Sequence, residues 1–86
     1  SFLLFQLMDY IRISYPLSDI IYINKELFEF DSLKDYADLI NYVTQKRNDP
    51  NNKCFLFIDE VQDIASFEKA LRHFFAEGSY DILYWK

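Results

Sequence analysis

Two apolar runs that do not alternate with polar residues set the fold: Ile20-Ile21-Tyr22-Ile23, introduced by Asp19, and Cys54-Phe55-Leu56-Phe57-Ile58, ended abruptly by Asp59-Glu60. A strand with one wet face alternates, so unbroken runs of this length suit strands covered on both faces, as in a parallel sheet. Helical periodicity surrounds them. Leu4, Leu7, Met8 and Ile11 recur at helical spacing, and Phe2, Leu3 and Phe5 spread the apolar surface around the circumference, which predicts a helix buried on more than one side. It should stop near Ser14, because Tyr15 precedes Pro16 and is pushed toward extended geometry. Asp31 is the expected N-cap of a second helix, with Leu33, Tyr36, Ala37, Ile40 and Val43 inward and Lys34, Asp35, Asp38, Asn41 and Gln45 solvated. Ser66 is the expected cap of a third, with Phe67, Ala70, Leu71 and Phe74 inward and Gly78 closing it. Residues 80–85 read as a last strand. The order α-β-α-β-α-β implies parallel strands joined by right-handed crossovers, an α/β layer.

Composition narrows the chemistry. The 86 residues contain one glycine, Gly78, so neither a G-x-G-x-x-G nor a G-x-x-x-x-G-K-[ST] phosphate loop exists within them. One cysteine excludes an intrachain disulfide, and one histidine beside it excludes a His/Cys zinc site. The net charge of −5, with its nine basic residues scattered, argues against sequence-independent nucleic-acid binding by this segment. No apolar stretch approaches the roughly 18 residues that span a bilayer, and residues 1–5 lack the basic flank of a signal peptide. The expectation is a soluble, cytoplasmic chain. It begins without Met and directly in apolar sequence, which reads as a piece of something larger.

The residues that carry chemistry are Asp59 and Glu60. A hydrophobic strand delivers them side by side at its C-terminal end, the edge of a parallel sheet where ligands bind. Ending a buried strand in two carboxylates is costly unless a cation or a solvated crevice receives them. A metal-nucleotide site meets both needs, the Asp holding Mg²⁺ and the Glu polarising the attacking water. A bland polar stop after a core strand is the alternative. His73, with no second His or Cys near it, reads as a surface or boundary residue, and Cys54 as a small core residue.

The run from Leu56 to Asp63, followed by Ser66-Phe67-Glu68-Lys69-Ala70-Leu71 and by Tyr80-Asp81-Ile82, resembles the acidic-motif region of bacterial and archaeal AAA-type P-loop ATPases. The group meant is the one whose ATPase domain precedes a C-terminal domain of unknown function. Residues 2–7 resemble the helix after that family's phosphate loop, and Ile21-Tyr22-Ile23-Asn24 its next strand. Gln62-Asp63 also resembles the DE-x-QD motif of superfamily 1 helicases, a rival reading.

The AAA resemblance covers the whole chain and implies that residues 1–86 are a single partial ATPase domain, running from just after the phosphate loop through the acidic motif to the following strand. It implies a partial P-loop NTPase-like three-layer fold of about three parallel strands, without the phosphate-loop strand. It makes Asp59 the Mg²⁺ carboxylate and Glu60 the water-activating one. Ser1 would be the last hydroxyl of the phosphate loop, touching Mg²⁺ and nucleotide. ATP and Mg²⁺ are then cofactors of the longer parent, and the isolated chain is expected to hold neither and to be inactive. The other class of reading is a non-catalytic α/β interaction module. The family's strand order puts the phosphate-loop strand beside residues 80–85, so that edge is expected to be open and to pair with a second copy as a homodimer.

Overall fold

Each apolar run becomes a strand, and the reason they do not alternate is visible in the layers. The computed structural model describes residues 2–86. Its elements are α1 (Phe2–Ser14), β1 (Asp19–Asn24), α2 (Tyr36–Lys46), β2 (Cys54–Asp59), α3 (Phe67–Glu77) and β3 (Tyr80–Trp85), with short 3₁₀ turns at Phe28–Phe30 and Val61–Asp63. The three strands form one parallel sheet in the order β1-β2-β3, with β2 central. Cys54, Leu56 and Ile58 face α2 and α3, in a core with Ile21, Ile23, Leu39, Val43, Ala70 and Phe74. Phe57, on the other face, packs under Leu4, Met8 and Ile11 of α1. The fold is therefore α/β in three layers, with α1 on one side of the sheet and α2 and α3 on the other.

Two aromatic contacts give the direction of α1. Phe5, near its start, meets Tyr22 late in β1 at 5.9 Å between ring centroids, and Tyr15, just beyond its end, meets Phe55 early in β2 at 5.5 Å. The helix thus runs antiparallel to the strands, and its N-terminus opens at the edge where the strands end.

The structure corrects three expectations. Helix α1 is buried along the single stripe Leu4, Met8 and Ile11, whereas Phe2, Leu3, Tyr10 and Ile13 are exposed; it is not covered on a second side. Helix α2 begins at Tyr36, with Asp35 and not Asp31 as its cap: the Asp38 amide donates to Asp35 Oδ1 at 3.0 Å, and the Lys34 amide to Asp38 Oδ2 at 3.0 Å. The shift turns the buried stripe onto Leu39 and Val43 and leaves Ala37 exposed. Ser66 does precede α3, but its backbone is left-handed (φ 56°) and its hydroxyl makes no cap bond; its carbonyl accepts from the Lys69 amide instead.

Candidate functional site at the carboxyl edge of the sheet

Register brings three residues level at the end of the sheet. Asn24 pairs with Asp59, and Asp59 with Trp85. Apart from backbone bonds, the half-buried Asp59 is unclaimed: its carboxylate has no hydrogen bond or ion pair among the described residues. The adjacent cation, Lys25, is occupied elsewhere, its Nζ donating to the Phe30 carbonyl at 2.7 Å while its amide donates to the Asp59 carbonyl at 3.3 Å. Asn24 Oδ1 accepts from the Glu26 amide at 3.0 Å, which fixes the loop beside Asp59.

Glu60 leaves the strand by a sharp reversal. Its φ and ψ of 63° and 46° are left-handed, a conformation that costs a non-glycine residue about 1–2 kcal/mol. Burial of Val61 and Ile64, which follow it, and the Asp63 amide donating to the Glu60 carbonyl at 3.1 Å, hold it there. The Glu60 carboxylate accepts from Gln62 Nε2. The segment after the turn is tied to α2 by a parallel bridge between Asp35 and Ala65, the Tyr36 amide donating to the Ala65 carbonyl and the Ala65 amide to the Lys34 carbonyl, both at 2.9 Å. A strained turn clamped on both sides is how a carboxylate is aimed rather than left to wander.

The N-terminus of α1, whose first turn carries no acidic residue, opens at this same edge. The positive end of the helix dipole favours an anion there. The edge therefore combines an unclaimed carboxylate, a fixed second carboxylate and the positive end of a helix dipole, an arrangement that can hold a cation against an anion. Asp59 and Glu60, expected together, are adjacent on it. Ser1 lies outside the described residues. His73 is exposed on α3, 4.0 Å from Glu77, and Cys54 is fully buried at the opposite end of β2. No group of three or more His, Cys, Asp or Glu side chains among the described residues could hold a metal by itself. Mg²⁺ does not need such a cage, since it is commonly bound by one or two carboxylates with substrate phosphates and water, so the donor set fits that ion. Asn24 and Gln62, named in the sequence only within motifs, gain their contacts beside Asp59 and Glu60 from the structure. The signal for Asn24 was its position as the polar end of the first apolar run, matching Asp59 at the end of the second.

The sheet and its flanking helices form an α/β domain, and comparison with known proteins gives its family. A family model described as AAA domain matches residues 1–85, and the chain belongs to that family. A protein of Haemophilus influenzae (strain ATCC 51907 / DSM 11121 / KW20 / Rd), itself uncharacterized, is 33% identical over 70 residues, which are 80% of this chain and 18% of that protein. The chain thus spans less than a fifth of that relative's length. No solved structure matches. Among the described residues, no helix is long and apolar enough to cross a membrane.

Proposed function

We propose that residues 1–86 are the part of an AAA-type ATPase domain that supplies the two catalytic carboxylates, Asp59 toward Mg²⁺ and Glu60 toward the attacking water. The observation that carries this reading is the pair's position at the carboxyl end of the central strand, on the edge where α1 begins. Bound Mg²⁺ would neutralise charge on the phosphates. Asp59 would bind it, with the Ser1 hydroxyl as a second protein oxygen. Glu60 would accept the proton of a water and orient it, its aim fixed by the left-handed turn and the Gln62 amide. The reading places the chain in the cytoplasm, where a free thiol such as Cys54 stays reduced.

Hydrolysis belongs to a longer polypeptide, because the backbone cradle and lysine of a phosphate loop normally supply most anion contacts and residues 2–86 contain no such loop. Calorimetry of the 86-residue chain with Mg²⁺-ATP tests this division of labour. It should give no heat of binding. A dissociation constant of about 1 μM, worth about −8 kcal/mol, would require a phosphate site built from these residues alone and contradict the reading.

A further inference from the structure

Glu60 and Ser66 are the two non-glycine residues with positive φ among the described residues, at 63° and 56°, and they stand at the two ends of one short segment. A left-handed residue with a Cβ persists only where its surroundings impose it. Within the segment the anchors are apolar and local: Val61 and Ile64 are buried, and the Ile64 amide donates to the Val61 carbonyl at 3.0 Å. Its backbone contact with another element lies at Ala65. The Ala65 amide donates to the Lys34 carbonyl and its carbonyl accepts from the Tyr36 amide, both at 2.9 Å, so the residues on either side of Asp35 hold the segment against the start of α2. Lys69, on the first turn of α3 beyond Ser66, lies over the Tyr36 ring at 5.2 Å and braces the same junction.

Two carboxylates fasten the start of α2. Asp35, the cap, accepts from the Asp38 amide at 3.0 Å. In the ordinary reciprocal box the second side chain reaches back to the amide of the cap itself. Here Asp38 Oδ2 reaches one residue further and accepts from the Lys34 amide at 3.0 Å. The other acceptor of that amide is local, the Ser32 carbonyl at 3.1 Å. Asp38 therefore ties to the helix the residue whose carbonyl receives the Ala65 amide.

We propose that Asp38 is a positioning residue for Glu60: through Lys34 and Ala65, its carboxylate fixes the orientation of the turn that aims the Glu60 side chain. The proposal rests on the reading of Glu60 as the water-activating carboxylate. Without the Asp38 acceptor the Lys34 peptide is free to rotate and its carbonyl leaves the Ala65 amide. The segment then pivots on its buried Val61 and Ile64, and Glu60 loses its aim. Asp59 keeps its place, because it is held in register with Asn24 and Trp85 inside the sheet. The effect is selective: nucleotide affinity is kept while the chemical step slows, a misplacement of about 1 Å being enough to cost on the order of 100-fold.

The test uses a longer polypeptide that carries this segment after a phosphate loop, as the parent and as Asp38→Ala, Asp38→Asn and Glu60→Gln. Asp38→Ala is expected to lower kcat for ATP at least about tenfold and to leave KM within about twofold. Asp38→Asn keeps an oxygen that accepts from the Lys34 amide but carries no charge, so it should retain at least about a third of the parent rate. An asparagine variant as slow as the alanine variant would mean that the charge at the first turn of α2 matters and not the acceptor, and would overturn the proposal. Hydrogen exchange reads the bridge itself: in Asp38→Ala the Ala65 and Tyr36 amides should exchange at least about tenfold faster while those of β2 keep their protection. Asp35→Ala, which removes the other bond of the box, should reproduce both effects and carries the test if Asp38→Ala loses protection in β2 as well. Parent-rate hydrolysis by Asp38→Ala beside an inactive Glu60→Gln would overturn the proposal and leave the reading of Glu60 standing. Parent-rate hydrolysis by Glu60→Gln would remove that reading and the proposal with it.

Discussion

Cys54 and Glu60 stand at opposite ends of β2 and show two ways in which a residue is fixed by its surroundings. Burial pushes the Cys54 thiol up to about 11, with Asp19 adding to the rise and the Arg47 guanidinium opposing it. The unfolded chain, whose thiol ionises near 9.0, therefore loses this proton first. The contribution of Cys54 to stability is full below that value and is lost as pH rises from about 9 to about 11. Denaturation of the parent chain and of Cys54→Ala on either side of this window should show a steeper alkaline loss in the parent; identical slopes would contradict the burial. Glu60 is fixed by backbone instead. Its left-handed turn was not legible in the sequence, because Glu has no preference for that conformation and only the anchoring of Val61 and Ile64 imposes it. The adjacency of Asp59 and Glu60, by contrast, was readable from the abrupt end of an apolar run.

At the scale of the element, helix α3 ends on Gly78 at φ 80°, with the Gly78 amide donating to the Phe74 carbonyl at 3.3 Å. A Cβ added there would meet nothing within 4 Å, so Gly78→Ala carries only the conformational penalty of a left-handed alanine. Thermal or urea unfolding should show a loss of about 1 kcal/mol; an unchanged stability would mean that the helix can end without this conformation. Gly78 was legible because a glycine after an amphipathic stripe is a local signal. The start of α2 was not. Asp31 and Asp35 both precede residues that fit a helical period, and what selects Asp35 is tertiary: the Tyr36 amide is claimed by the Ala65 carbonyl, 29 residues away in sequence, while the 3₁₀ turn at Phe28–Phe30 uses Asp31 as its own end. The three strands were legible to within a residue because β2 is buried on both faces, and a doubly buried strand has no polar alternation to obscure it. Helix α1 misled for the same reason in reverse: its apolar circumference predicts two covered sides, but a sequence does not say whether the cover comes from the same chain.

For the whole molecule, the account rests on polarity along the sheet. All three strands run the same way, α1 runs against them, and so the ends of the strands and the start of the helix meet at one edge while the connector between α2 and β2 occupies the other. Asp19 organises that opposite edge, accepting from the Asn48 amide at 3.0 Å and its Nδ2 at 3.1 Å. Arg47 stacks there on Tyr80, 4.6 Å from the ring centroid. The proposed chemistry and the structural bracing thereby lie at the two ends of a sheet six residues long. The central claim, that Glu60 activates water at the chemical end, is tested most directly in a longer polypeptide that carries this segment after a phosphate loop. There, Glu60→Gln should keep Mg²⁺-dependent nucleotide binding while single-turnover hydrolysis falls by at least about 100-fold, as loss of a general base entails. Hydrolysis at the parent rate by that variant would contradict the account.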